Sequence, residues 1–299
     1  MKTPIVVGTD LSRSSAKVVR YAARIARMDN RPLYLIHARV IVPDASTALW
    51  DMEEEALLKQ RHRAHNIIHG KDGENGPVSD VHRLLVLGSA GEELLRVAHS
   101  VGAAYIIVGT HGRTGLNRLL IGSTSEFVMR RSDCPVIVIG PHATVLRDKG
   151  IPWKQILFIS DLASGMTDAA KMVGKLSVEH QAKLTIVTVQ KDIQQVQEDA
   201  YEVLRPVLPR EDWLTKKPQC LICEGDPSVE IPRMAHDFDS DLIVMSVQKG
   251  GELAAHLREG IAVKIIRAAR CPVMLLRNNS HPTPLSGNLR ATAKENTSC

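Results

Sequence analysis

A constant internal offset constrains this chain more than any other feature. Gly88-Ser-Ala-Gly returns as Gly225-Asp-Pro-Ser, Tyr105-Ile-Ile-Val108 as Leu242-Ile-Val-Met245, and Cys134-Pro-Val-Ile-Val-Ile139 as Cys271-Pro-Val-Met-Leu-Leu276. Each pair is 137 positions apart, as in 225 − 88 = 137. Three elements sharing one spacing mean internal duplication, so the chain must fold as two copies of one unit. Its 299 residues leave about 150 for each copy, an ordinary domain size.

The unit alternates strand and helix. Pro4–Gly8, Pro32–Val40, Val81–Val86, Tyr105–Val108 and Pro135–Ile139 are apolar runs of strand length. Between them lie helical patterns: Ala16, Val19, Ala22, Ala23 and Ile25 after a capping Ser12, then Thr47–Ile68, a segment from Gly88, and Ser123–Arg131. Thr47–Ile68 begins acidic and ends basic, as the helix dipole favours. In the second copy Gln155–Ser160 and Leu184–Val189 answer the first two strands, and Asp161-Leu-Ala-Ser164 answers Asp10-Leu-Ser12 with one residue inserted. Strand–helix–strand crossovers make parallel sheets. The predicted class is therefore α/β, with two tandem Rossmann-like doubly wound domains of five parallel strands. We place them at 1–140 and 153–277, with a linker at 141–152 and a polar, disordered tail at 278–299.

Composition narrows the function classes. Aromatic residues make up only 3%, which suits sheet cores built from Val, Ile, Leu and Ala. The net charge of +5 is spread along the chain, and short runs such as Arg61-His62-Arg63 and Arg130-Arg131 do not make a nucleic-acid groove. No run reaches membrane-span length, and MKTPIVVGTD reads as a strand rather than a signal peptide. Five cysteines, an odd number, argue against a disulfide framework. We expect a cytoplasmic protein with neither membrane nor nucleic-acid partners.

Chemistry concentrates between Tyr105 and Ile139. Glycines fall at Gly109, Gly112, Gly115 and Gly122, followed by Ser123, Thr124 and Ser125 at a helix start. Glycines let backbone amides approach a ligand, and a helix N-terminus favours an anion. That pattern suits a phosphate cradle, or else a glycine-rich connection in which Ser123 merely caps a helix. Elsewhere Cys220-Leu-Ile-Cys223 has metal-site spacing, but on a strand its two cysteines point to opposite faces. His62, His65 and His69 share a helical face without a carboxylate or cysteine at matching spacing.

Gly109-x2-Gly112-x9-Gly122-Ser123 resembles the nucleotide-binding signature of the universal stress protein family, in its ATP-binding branch; Gly115 lies outside the pattern. The resemblance implies that Asp10 accepts a hydrogen bond from the adenine amino group, although Asp10 also suits a helix cap. Ala38, where the family often has valine, would touch the base through its backbone. Val108 and Gly109 would flank the ribose, and His111 and Gly112 would present amides to the phosphates. Gly122, Ser123 and Thr124 would hold the distal phosphates, with Ser125 contributing, Arg113 within reach, and Mg or Mn accompanying ATP. Family members dimerise through their last strands, so fusion implies an intrachain pseudo-dimer joined at Pro135–Ile139 and Pro272–Leu276, with a homodimer of whole chains open. The expected function is an ATP-binding stress-response regulator or sensor with at most slow hydrolysis. A nucleotide-independent tandem scaffold or interaction protein, and an adenylate-transferring enzyme of a related superfamily, are the alternatives.

The second copy departs from this pattern. At the 137 offset Gly109, Gly112, Gly122 and Ser123 become Ser246, Lys249, Glu259 and Gly260. A carboxylate at position 259 would repel phosphate. A one-residue slip restores Gly260, but Ile261 and Ala262 still supply no hydroxyls. We expect the ATP motif of the second half to be degenerate.

Overall fold

The structure is a computed structural model that describes residues 2–39, 68, 78, 80–110, 121–144, 153–160, 167–190, 217–248 and 260–278. Ten strands form one sheet: β1 (Ile5–Gly8), β2 (Leu33–Arg39), β3 (Val81–Leu87), β4 (Tyr105–Gly109), β5 (Val136–Ile139), β6 (Gln155–Ile159), β7 (Lys183–Gln190), β8 (Gln219–Glu224), β9 (Leu242–Gln248) and β10 (Val273–Asn278). Their order is β3-β2-β1-β4-β5-β10-β9-β6-β7-β8. Every pairing is parallel except β5 with β10, which is antiparallel. Each half is thus a five-stranded doubly wound sheet of order 3-2-1-4-5, and the two are joined through their last strands.

Helices cover both faces: α1 (Arg13–Met28), α2 (Ala90–Ser100), α3 (Ser123–Arg131), α4 (Thr167–Glu179), α5 (Pro227–Asp237) and α6 (Ile261–Ala268). Local chemistry sets their starts. Ser12 caps α1 by accepting from the Ser15 N–H, and Asp226 caps α5 by accepting from the Ser228 N–H, with Pro227 suited to the first turn. α1 buries Val18, Val19, Ala22, Ala23, Ile25 and Ala26 against one face, in a core that α4 extends across the second half. α2, α3, α5 and α6 cover the other face. With helices on both sides, strands such as Val136–Ile139 are buried at every position, which is why they read as unbroken apolar runs. Each fully buried Val or Ile contributes about 1.5–3 kcal/mol, so pairing β5 with β10 conceals two edges that would be costly to expose.

Cys220 packs into one core and Cys223 into the other, on opposite sides of β8. Of the segment Thr47–Ile68 only Ile68 is described, and it is helical and buried; the rest, with the three-histidine face and the tail beyond 278, lies outside the described residues. The start of the expected linker packs on the second half: Ala143 is buried, and the Thr144 N–H donates to Arg270 O at 2.7 Å. No helix among the described residues is long and apolar enough to cross a membrane.

Candidate functional site

The strand order of the first half reverses between β1 and β4, and open α/β sheets bind ligands in the crevice at that reversal. A cleft of about 230 Å³ lies there, at the carboxyl ends of the strands. Its floor comes from the ends of β1 (Gly8, Thr9, Asp10), β2 (Ile36, Ala38) and β4 (Val108, Gly109). Its walls are Ser15 and Val18 of α1, Ala90 and Leu94 of α2, and Gly122 to Ser125 at the start of α3. Eight of the ten residues expected from the sequence therefore line one cleft: Asp10, Ala38, Val108, Gly109, Gly122, Ser123, Thr124 and Ser125. His111 and Gly112, with Arg113 and Gly115, lie outside the described residues.

The turn after β1 is built to present Asp10. The Ser12 N–H donates to Asp10 Oδ1 at 3.0 Å, and the Leu11 N–H donates to Thr9 Oγ1 at 3.0 Å. Thr9 Oγ1 and Ser15 Oγ share a hydrogen bond of 2.9 Å. Leu11 adopts φ of 59°, a left-handed conformation that costs a non-glycine residue roughly 1 kcal/mol or more. The helix cap is Ser12, so Asp10 is left with one oxygen engaged and one free. Its Oδ2 is buried without a hydrogen-bond partner. Burial pushes the Asp10 carboxyl up, but hydrogen bonds from Ser12 and Ser15 outweigh it and hold the pKa below its ordinary 3.8. Asp10 is therefore an ionised carboxylate with a buried, unsatisfied acceptor.

Across the cleft, α3 begins without a side-chain cap. Its N-cap is Gly122, whose N–H donates to Thr110 O at 2.9 Å and pinches the base of the intervening loop. The first intrahelical bond runs from the Glu126 N–H to Gly122 O, leaving the amides of Ser123, Thr124 and Ser125 unpartnered within the helix. Ser123 is exposed and Thr124 half-buried, so both hydroxyls are available. Ser125 is not free: its Oγ donates to Gly109 O at 2.5 Å and ties α3 to the end of β4. Gly109 is confined as well, because a Cβ there would meet Val18 Cγ2 at 2.7 Å. The cleft joins an acceptor at one end to a row of donors at the other.

Sequence reasoning missed Thr9, Ser15, Val18, Ile36, Ala90 and Leu94 as lining residues. Thr9 and Ser15 carried a signal, since hydroxyls flanking a strand-end aspartate can lock its turn. The apolar positions carried none beyond ordinary core patterning.

The second half keeps a glycine at the helix cap but differs at the other equivalent positions described. Ser246 stands where Gly109 does, and β9 and β10 stay paired two residues further, through Val247–Arg277 and Gln248–Asn278. One expectation is corrected here. The N-cap of α6 is Gly260, with the Lys264 N–H on its oxygen, so Gly260 and not Glu259 answers Gly122. α6 has eight residues against nine in α3, which absorbs the one-residue slip. Its first turn is Ile261, Ala262 and Val263, so the hydroxyls are gone.

Sheet order, central antiparallel joint and switch-point cleft together define a tandem α/β protein with two related halves and a ligand-type crevice in the first. The sequence model of the universal stress protein family matches residues 1–140 and again 152–277. The chain belongs to the universal stress protein family. A universal stress protein of Methanocaldococcus jannaschii is 29% identical over 138 residues, covering 45% of this chain and 80% of that one. A Mycobacterium tuberculosis universal stress protein is 23% identical and aligns over 92% of this chain and 97% of its own length. Among solved structures, a universal stress protein from Archaeoglobus fulgidus superposes with a TM-score of 0.68 at 18% identity, covering 93% of this chain and 97% of that one. That likeness is one of fold.

Proposed function

We propose that the first half binds an adenine nucleotide, ATP with Mg or Mn, and that the chain works as a nucleotide-responsive regulator of the stress response. The observation that carries this reading is the buried, unpartnered Oδ2 of Asp10 at the switch-point cleft. An unsatisfied buried acceptor costs about 1–3 kcal/mol, and an amino group on a bound base would remove that cost. Ala38 would offer its backbone to the same base, and Val108 and Gly109 would flank the ribose. Gly122, Ser123 and Thr124 would hold phosphate through helix-terminal amides and hydroxyls, joined by His111 and Gly112. Ser125 would act by holding Gly109. Among the described residues no group of three or more His, Cys, Asp or Glu could hold a metal, so in this reading the divalent ion is held through the phosphate oxygens.

The reading takes residues 1–140 as the nucleotide domain and 153–277 as its partner domain, with 141–152 joining them in one compartment, the cytoplasm. It assigns no catalytic base, and any ATP hydrolysis would be slow. Titration calorimetry with magnesium tests it. Adenine presents an amino donor where guanine presents a carbonyl acceptor. ATP should bind once per chain and at least tenfold tighter than GTP, and Asp10→Asn should narrow that preference. Absence of ATP binding would leave a nucleotide-independent scaffold, and equal affinity for ATP and GTP in the wild type would remove Asp10 from recognition of the base.

A further inference from the structure

Helix α3, which frames the donor end of the cleft, is held at its far end by the other half of the molecule. Arg277 lies on β10, near the carboxyl end of the last strand. Its Nη2 donates to Arg130 O, and its Nη1 donates to Ser132 O at 3.2 Å and lies 3.6 Å from Asp133 Oδ1. Arg130 is in the last turn of α3 and Ser132 is its C-cap. Two carbonyls at the end of that helix thus receive a guanidinium from the second half, where the dipole favours positive charge.

The device runs one way only. The repeat equivalent of Arg277 is Gly140, at the matching place beyond β5 (277 − 140 = 137). Gly140 faces the backbone of α6 so closely that a Cβ would lie 2.2 Å from Ile266 O. Among the described residues no side chain of the first half caps α6. The half with hydroxyls on its helix start receives the arginine, and the half without them does not.

We propose that Arg277 is a positioning residue through which the second half sets the nucleotide affinity of the first. The inference rests on the nucleotide reading given above. α3 has nine residues, or roughly 13 Å at 1.5 Å each, and is pinned at its start by Gly122 to Thr110 O and Ser125 to Gly109 O. Arg277 fixes the other end, so the amides of Ser123 to Ser125 keep a fixed aim. Coupling is reciprocal: a nucleotide that tightens α3 must also tighten the docking of β10.

The test compares full-length wild type, Arg277→Met and Arg277→Lys. Met keeps the buried stem without the charge, whereas Lys keeps the charge without the two-pronged fork. Calorimetry with MgATP should show affinity lowered about 5- to 20-fold in Arg277→Met, within the usual span of site-to-site coupling, and partly regained in Arg277→Lys. Amide exchange at Glu126 and Phe127, the first hydrogen-bonded amides of α3, should quicken in the free protein in the same order. A change in thermal stability alone, with ATP affinity and exchange at those amides both unchanged, would overturn the proposal. Should Arg277→Met fail to fold, Arg277→Lys is read against the same two criteria. If the wild type does not bind ATP, the nucleotide reading fails by itself, and exchange at Glu126 and Phe127 still decides whether Arg277 positions α3.

Discussion

Single residues show where conformational freedom and where sheer space dictated the sequence. Gly109 was legible as a glycine at a strand end beside the cleft, but the sequence could not show that Val18 already occupies the place of its side chain. Gly140 carried no signal at all, because its constraint comes from a helix carbonyl of the other half. It sets the more severe limit: an obstructing backbone oxygen cannot rotate away as the Val18 methyl can. Gly140→Ala should therefore destabilise the protein by about 3 kcal/mol or more, among the larger single-residue effects. Gly109→Ala should cost less in stability and act mainly on ligand binding. Urea unfolding midpoints of the two variants would check the order, and a mild Gly140→Ala would mean that α6 can move aside.

At the scale of elements, the strands were the most legible part, because sheets covered on both faces need unbroken Val, Ile and Leu runs. Their ends were less so: β9 and β10 outrun the apolar stretch through Val247, Gln248, Arg277 and Asn278, whose pairing is set by the neighbour strand and not by hydropathy. The start of α6 was misplaced by one residue for a related reason. A helix one residue shorter keeps the 137 offset at its end, where Ala269 answers Ser132, and breaks it at its start, where Gly260 answers Gly122. The candidate site was legible wherever its chemistry sits on helix or strand ends, as at Asp10 and Ser123, and illegible where the apolar wall comes from helix faces. The comparison of α3 with α6 carries its own prediction. Ser123→Ile with Thr124→Ala gives the first half the helix start of the second and removes two hydroxyls while leaving the amides. Each lost hydrogen bond to a charged group is worth about 1.5–3 kcal/mol, so ATP affinity should fall at least tenfold with little change in stability. Calorimetry beside a urea titration would separate the two effects, and unchanged affinity would remove these hydroxyls from the site.

The whole molecule is organised about a pseudo-twofold axis, and equivalent residues meet on it. Ile137 pairs in register with Met274, its own counterpart (274 − 137 = 137). Asp29 and His180, the residues that end α1 and α4, also correspond (180 − 29 = 151, as 156 − 5 = 151 for β6 and β1). They face one another with His180 Nε2 3.7 Å from Asp29 Oδ1, and both are buried. In a symmetric dimer of identical domains the same place would bring two aspartates together, and duplication has allowed opposite characters there. Arg31 lies 3.4 Å from Asp29, and the Trp153 ring packs against His180 at 4.6 Å while its Nε1–H donates to Tyr21 Oη at 2.8 Å. Burial lowers the His180 pKa from its ordinary 6.5, more than Asp29 and Glu179 raise it, with Arg31 and Lys2 lowering it further. Burial raises that of Asp29 from 3.8, against the opposing pull of His180 and Arg31. A depressed histidine favours the fold above pH 6.5, and that contribution fades as pH falls from 6.5 through the folded value. The raised Asp29 works the other way: its contribution is present below pH 3.8 and is lost as pH rises through its folded value. Acidification from pH 7.5 should therefore weaken the joint between the halves through His180. Urea midpoints at pH 7.5, 6.5 and 5.5 for wild type and His180→Gln isolate that term from the other titrating groups. The wild type should lose more stability over this range than the variant. Parallel losses would show that His180 takes up its proton in the fold as readily as in the unfolded chain, so that the joint on the axis is insensitive to pH.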